Sequence, residues 1–158
     1  MNKWISLALV SVTLCLSFSI AAKECTTPDG FTPESATYQL TELKSPVSLV
    51  NLWAVWCPPC LKELPALDSI ANNENFSVET VHIGDNLPAI EERFSKLGIH
   101  HLPKTIEPDM GAIHALGFQG LPATLVVING ETKFRYSGYI KHSPEVIQDW
   151  LTCLREEL

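Results

Sequence analysis

The sequence predicts a three-layer α/β domain, a mixed central β-sheet flanked by helices, and three observations predict it. Ser48 to Trp56 (SLVNLWAVW) is too apolar for a half-exposed strand and reads as one buried on both faces, as parallel sheets require. Pro58 and Pro59 follow it directly and suit the first turn of a helix, where backbone N–H groups have no intrahelical partner. Asn129-Gly130 lies between two strand-like runs, Ala123 to Ile128 and Lys133 to Tyr139, and is the signal of a tight antiparallel hairpin.

The remaining elements follow in chain order. Cys25 to Thr37 is rich in Thr, Pro, Asp and Gly, so residues 23–37 read as an irregular arm ahead of a body at 38–158. After the central strand, Leu61, Leu64, Leu67, Asp68 and Ile70 carry the first helix toward Asn72, with Pro65 expected to kink it. Phe76 to Ile83 alternates as a second strand, and Leu87 to Leu97 is a second helix ended by Gly98. Beyond the hairpin, Ser143 caps a last helix with Pro144 in its first turn. Val146, Ile147, Trp150, Leu151 and Leu154 form its apolar face. The order is βαβα followed by ββα, which fits helices packed on a mixed sheet.

With 158 residues, 46% hydrophobic and 18% charged, the chain supports one core. Its 11 Lys and Arg against 18 Asp and Glu give a net charge of −7, which excludes the electrostatic footprint of a nucleic-acid binder. Residues 1–22 read as a signal peptide: Lys3 is their only charge and Trp4 to Ala22 is apolar but for Ser and Thr. Small residues at Ser19, Ala21 and Ala22 offer a cleavage site. The same run is long enough to remain as an uncleaved anchor, the one route by which this chain would meet a membrane. Cys15 lies inside it, after a bulky Leu14 that makes a poor lipoprotein site. Export leaves Cys25, Cys57, Cys60 and Cys153, an even count that permits two disulfides.

The chemistry sits at Trp56-Cys57-Pro58-Pro59-Cys60, where the buried strand turns into its helix. Cys57 takes the helix cap, where free N–H groups and the positive dipole end stabilise a thiolate. Cys60 lies one turn in, shielded by the helix and close enough to form a disulfide. A structural zinc half-site would need a second ligand pair, and His82, His100, His101, His114 and His142 show no paired spacing suited to it. A static disulfide is the other competing reading. No metal or organic cofactor is implied.

From about Tyr38 onward the chain resembles the thioredoxin fold, and within it the exported TlpA/ResA/CcmG (DsbE)-type thiol-disulfide oxidoreductases. Leu49 to Cys57 is similar to the family's Asn-Phe-Trp-x-x-Trp-Cys approach to the active site. Glu63-Leu64-Pro65 follows Cys60 at the spacing of the family's Glu-x-Pro, and Gly120-Leu121-Pro122-Ala123-Thr124 resembles the loop with the fold's cis-proline. The resemblance implies Cys57, Cys60 and Glu63 as catalytic residues. Asn51 stands where thioredoxins carry a buried aspartate; taken alone it reads as a buried amide satisfied by its neighbours. With no acid in the strand, Glu63, one helical turn beyond Cys60, is left to exchange that residue's proton. A solvated charge is the competing reading. Substrate-binding residues would be Trp56, Pro58 and Pro59 beside the disulfide, and Leu121 and Pro122, whose cis bond leaves main-chain groups open to an extended peptide. Trp53 reads as core.

The resulting expectation is a periplasmic thiol-disulfide oxidoreductase acting as a reductant. Pro58 and Pro59 bring no N–H groups to the Cys57 thiolate, so its pKa is less depressed than in a strong oxidase and its dithiol is the better reductant. Implied partners are protein disulfides, of apocytochrome c or copper-centre assembly proteins, with electrons from a membrane thiol donor of the DsbD/CcdA type. A disulfide oxidase or isomerase, and a copper chaperone holding Cu(I) without turnover, are the alternatives. Cys25 and Cys153 are expected to form a structural disulfide, because two loose thiols would otherwise sit in an oxidising space. A free Cys25 used for dimerisation and a buried, inert Cys153 compete with it.

Overall fold

A computed structural model of the chain describes residues 24–37 and 42–158, so the expected signal at 1–22 and the boundary at 38 lie outside the described residues. Six strands and four helices follow in order: β1 (Thr32–Thr37), β2 (Val47–Trp53), α1 (Pro58–Ala71), β3 (Ser77–Ile83), α2 (Leu87–Leu97), β4 (Thr105–Glu107), α3 (Ala112–Ala115), β5 (Ala123–Ile128), β6 (Glu131–Ser137) and α4 (Pro144–Glu156). They form one sheet in the order β1-β6-β5-β2-β3-β4. It is mixed: β2 runs parallel to β3 and antiparallel to β5, and β3 is parallel to β4.

Every residue of β2 is buried, which is what a central strand covered on both faces demands. Leu49, Trp53, Leu64, Leu67, Phe94, Trp150 and Leu151 join a cluster that fastens α1, α2 and α4 to one face. Val50, Leu52, Val81, Ile113, Phe118 and Leu125 pack on the other, beneath α3. Asp68 ties α1 to the chain entering β4: its carboxylate accepts from the backbone N–H groups of His100, His101 and Leu102. Gly98 ends α2 in the left-handed region at φ 65°. Asn129 and Gly130 are both left-handed, at φ 52° and 81°, as the expected two-residue turn needs.

The structure corrects several sequence expectations. The arm at 23–37 is not irregular throughout, since Thr32–Thr37 pairs antiparallel with β6 as the outer strand of the sheet. An outer strand uses only one hydrogen-bonding edge and tolerates Pro33, so it needs no apolar alternation to betray it; the register shifts between Pro33 and Ala36. The last strand begins at Glu131, directly after the two-residue turn, and stops before Gly138, which is left-handed at φ 86°. The three-residue β4 and four-residue α3 are too short to carry a period. Ser143 occupies the cap of α4 without a side-chain hydrogen bond to the helix backbone.

Cys25 and Cys153 are joined, with Cα atoms 5.8 Å apart across 128 residues of sequence. The bridge fixes the residues before β1 to α4, and Cys25 N–H also donates to Glu157 Oε1 at 3.2 Å. Replacing both cysteines by Ser is expected to cost about 2–5 kcal/mol of folding free energy, because so long a loop strongly restricts the unfolded chain. Urea unfolding with Cys57–Cys60 kept oxidised measures it; an unchanged midpoint would show the bridge to be dispensable.

Candidate active site

Cys57 is the N-cap of α1, its backbone extended at φ −102° and ψ 100°, and Pro58 and Pro59 supply the first two helical residues. The consequence is chemical. Of the N–H groups at the start of the helix two are missing, and the one that reaches the cap sulfur is Cys60 N–H, 3.3 Å from Cys57 Sγ. Cys57 and Cys60 are joined by a disulfide with Cα atoms 5.3 Å apart. Both are buried, while Trp56 beside them is 61% exposed and Pro58 and Pro59 lie on the surface. Trp53 is buried instead, stacked on Phe94.

One turn beyond Cys60, Glu63 is only 2% exposed. Its Oε2 accepts from Asn51 Nδ2 at 2.8 Å, and its Oε1 accepts from Ile140 N–H at 2.7 Å. Asn51 Nδ2 also donates to Thr124 Oγ1 at 3.1 Å. Burial raises the Glu63 pKa from 4.5 to about 7, against the two hydrogen bonds, which favour the ionised form. The carboxyl therefore exchanges protons near neutrality.

The Leu121–Pro122 peptide is cis. Ala123, directly after Pro122, is opposite Leu52 on the ladder, at the end of the sheet from which β2 runs on to Cys57. Cys57 N–H donates to the Ala54 carbonyl there. Pro122 is buried with its carbonyl accepting from Gly138 N–H; Leu121 is half-buried and packs against both apolar clusters.

Three contributors were not legible as parts of the site. Ile140 acts through its backbone, which carries no sequence signature. Thr124 stood in the proline motif, but only its position opposite Asn51 gives it a role. His82 entered the sequence reading only among the histidines whose spacing does not suit zinc; in the structure its Nε2 accepts from Val55 N–H at 3.1 Å, two residues before Cys57. That fixes the tautomer, leaving Nδ1–H to donate to the Gly84 carbonyl at 2.6 Å. The ring also meets Trp53 edge-on, with centroids 4.9 Å apart. Burial lowers its pKa from 6.5, which keeps this neutral form.

Two predictions follow from these groups. Because the folded-state pKa of Glu63 is raised, the native protein loses stability as pH rises from 4.5 through 7, by about 3 kcal/mol at 1.36 kcal/mol per pH unit, and loses no more above that. Urea unfolding across that range should show the gap between Glu63→Gln and the native chain widening by this amount; a constant gap contradicts a raised pKa. His82→Phe keeps the contact with Trp53 but orphans Val55 N–H, so it should cost about 1–3 kcal/mol and speed hydrogen exchange at Val55. Unaltered exchange at that amide would mean that His82 does not hold the approach to Cys57.

The sequence profile of the Redoxin family matches residues 21–146. Among curated relatives, the chain is 24% identical to the thiol-disulfide oxidoreductase ResA of Halalkalibacterium halodurans over 78% of this chain and 71% of that one. It is 33% identical to the thiol:disulfide interchange protein DsbE of Allochromatium vinosum, over 51% of this chain and 45% of that one, so it spans less than half the length of that relative. The fold is similar to the crystal structure of a thiol:disulfide interchange protein of the thioredoxin family from Chlorobium tepidum, with TM-score 0.61 and 19% identity over 78% of this chain and 97% of that one. A buried strand delivering a cysteine pair to a helix N-terminus, in a mixed sheet matching that structure, agrees with the profile: this chain belongs to the Redoxin family and has a thioredoxin-like fold.

Proposed function

We propose that the protein is a thiol-disulfide oxidoreductase that reduces protein disulfides in an exported compartment, using Cys57 and Cys60. The observation that carries the reading is the buried Glu63 carboxyl, held ionisable near pH 7 one turn from the buried Cys60. A merely structural disulfide has no use for such a group. The names of the ResA and DsbE relatives agree with the activity.

In the working direction, the Cys57 thiolate attacks one sulfur of a partner disulfide and expels the other as a thiolate. Cys60 then gives its proton to Glu63, and its thiolate attacks the Cys57 sulfur, forming Cys57–Cys60 and releasing the second partner thiol. Two electrons pass to the partner, and a membrane thiol donor of the DsbD/CcdA type restores the dithiol. The missing N–H groups of Pro58 and Pro59 leave the Cys57 thiolate with fewer donors, which favours the reductant direction over the oxidase. Trp56, Pro58 and Pro59 form the exposed apolar rim that a partner meets. Leu121 supplies main chain for an extended substrate segment, Pro122 setting its course. Apocytochrome c or a copper-centre assembly protein is the substrate class, in the periplasm. Among the described residues no helix is long and apolar enough to cross a membrane.

Cys57→Ser is expected to abolish insulin reduction, and Cys60→Ser to accumulate mixed disulfides through Cys57. Both are read by turnover assay and by non-reducing mass spectrometry of export-competent cells. Insulin reduction at background by the native chain, or adducts forming through Cys60 instead, would overturn the reading.

A further inference from the structure

Asn51 makes both of its side-chain hydrogen bonds through one end. Nδ2 donates to Glu63 Oε2 and to Thr124 Oγ1, while Oδ1 is buried without a partner. Asn51 and Thr124 are fully buried and directly opposite each other on the ladder between β2 and β5, so their backbones are fixed. The amide can still turn about its last bond, because its oxygen and nitrogen ends have nearly the same shape.

Turned over, it would meet the same two neighbours. Its oxygen would accept from a protonated Glu63 and from the Thr124 hydroxyl, which donates as readily as it accepts. The proton on Glu63 therefore decides between the orientations. With the carboxylate ionised, the turned amide would set two acceptors face to face. With Oε2 protonated, the orientation in the structure would set O–H against N–H. One end of the amide has no partner in either orientation, but a mismatch also sets like groups against each other at the carboxyl, which is costly where no water replaces the lost bond.

We propose that Asn51 is a positioning residue that follows the proton on Glu63, donating to the carboxylate and turning to accept from the acid, so that the buried carboxyl keeps a partner in both states. This rests on Glu63 being the proton acceptor of Cys60. Few other titratable groups surround the carboxyl. α1 and its cap bring Cys57, Cys60, Lys62, turned over the Tyr139 ring, and Asp68, held by the N–H groups of His100, His101 and Leu102. The segment supplying Ile140 brings Tyr139, Lys141 and His142. Glu145, Asp149, Arg155 and Glu156 of α4 are exposed, β3 brings Glu79 and the neutral His82, and β2 and β5 contain no titratable side chain.

The test is a pH titration of the full-length oxidised protein by NMR, following the Glu carboxyl carbons and the Asn side-chain amides. The Asn51 amide protons should exchange one set of nuclear Overhauser contacts for another, with the same midpoint as the Glu63 carboxyl. Glu63→Gln should show the acid pattern at every pH, because the introduced amide N–H can be met only by Asn51 Oδ1. Asn51→Leu removes a partner from both states, but the charge-assisted bond to the carboxylate is the stronger of the two, so the Glu63 midpoint should rise by about one pH unit, roughly a tenfold gain in proton affinity. A fixed contact pattern through the titration, or an unmoved midpoint in Asn51→Leu, overturns the proposal. If that variant does not fold, the spectra of the native chain and of Glu63→Gln decide alone. The underlying reading fails separately: an unchanged pH profile for Cys60 alkylation in reduced Glu63→Gln would remove Glu63 from the proton transfer whatever Asn51 does.

Discussion

The constraint on which the rest depends is the complete burial of β2. All seven of its residues, Val47 to Trp53, are shut away from solvent, and the sheet closes over them on both edges through β3 and β5. A strand in that position excludes water as a partner for any polar side chain it carries. Asn51 is its amide, and the face it shares with Trp53 lies under α1. What satisfies Asn51 must come from that helix or from the neighbouring strand, and both answer, α1 with Glu63 and β5 with Thr124. Building the site thus begins as a problem of polar satisfaction in the core.

Among the described residues three carboxylates are buried, and their surroundings differ. Asp68 receives N–H groups from three consecutive residues, a fixed set of donors suited to pinning α1 to the chain before β4. Glu79 has one oxygen without a partner and Lys44 3.9 Å away, at the rim of the sheet. Glu63 has one donor on each oxygen, enough to order the carboxyl and too few to offset its burial, and its pKa rises to about 7 as a result. An intermediate degree of satisfaction suits the proton transfer proposed for Glu63.

Much of this was written in local sequence, and what was not has physical reasons. The strand-to-helix turn, the Asn-Gly hairpin and the C-terminal amphipathic helix each express a local rule, and the structure has them within a few residues. The outer strand β1 was hidden because partners on one edge place few demands on side chains. The environment of Glu63 was legible only in outline: spacing puts it one turn past Cys60, but the donor from Ile140 comes from 77 residues away through a backbone N–H that any residue provides. His82 was hidden for a related reason. A histidine in an apolar strand shows its function only when the fold brings Val55 N–H to one nitrogen and the Gly84 carbonyl to the other.

His82 holds the backbone before Cys57 through Val55 N–H, and Glu63 lies on α1 one turn beyond Cys60. Burial acts on both, in opposite senses, because the charged form is the acid's deprotonated state and the base's protonated one. His82 titrates below 6.5 and Glu63 near 7. Stability linked to His82 is present above pH 6.5 and lost as pH falls, whereas stability linked to Glu63 is present below pH 4.5 and lost as pH rises to 7. Around pH 7 the His82 clamp is therefore intact while the Glu63 proton is exchanging. The same low-dielectric core keeps the geometry before Cys57 fixed across the range in which the Glu63 carboxyl changes charge.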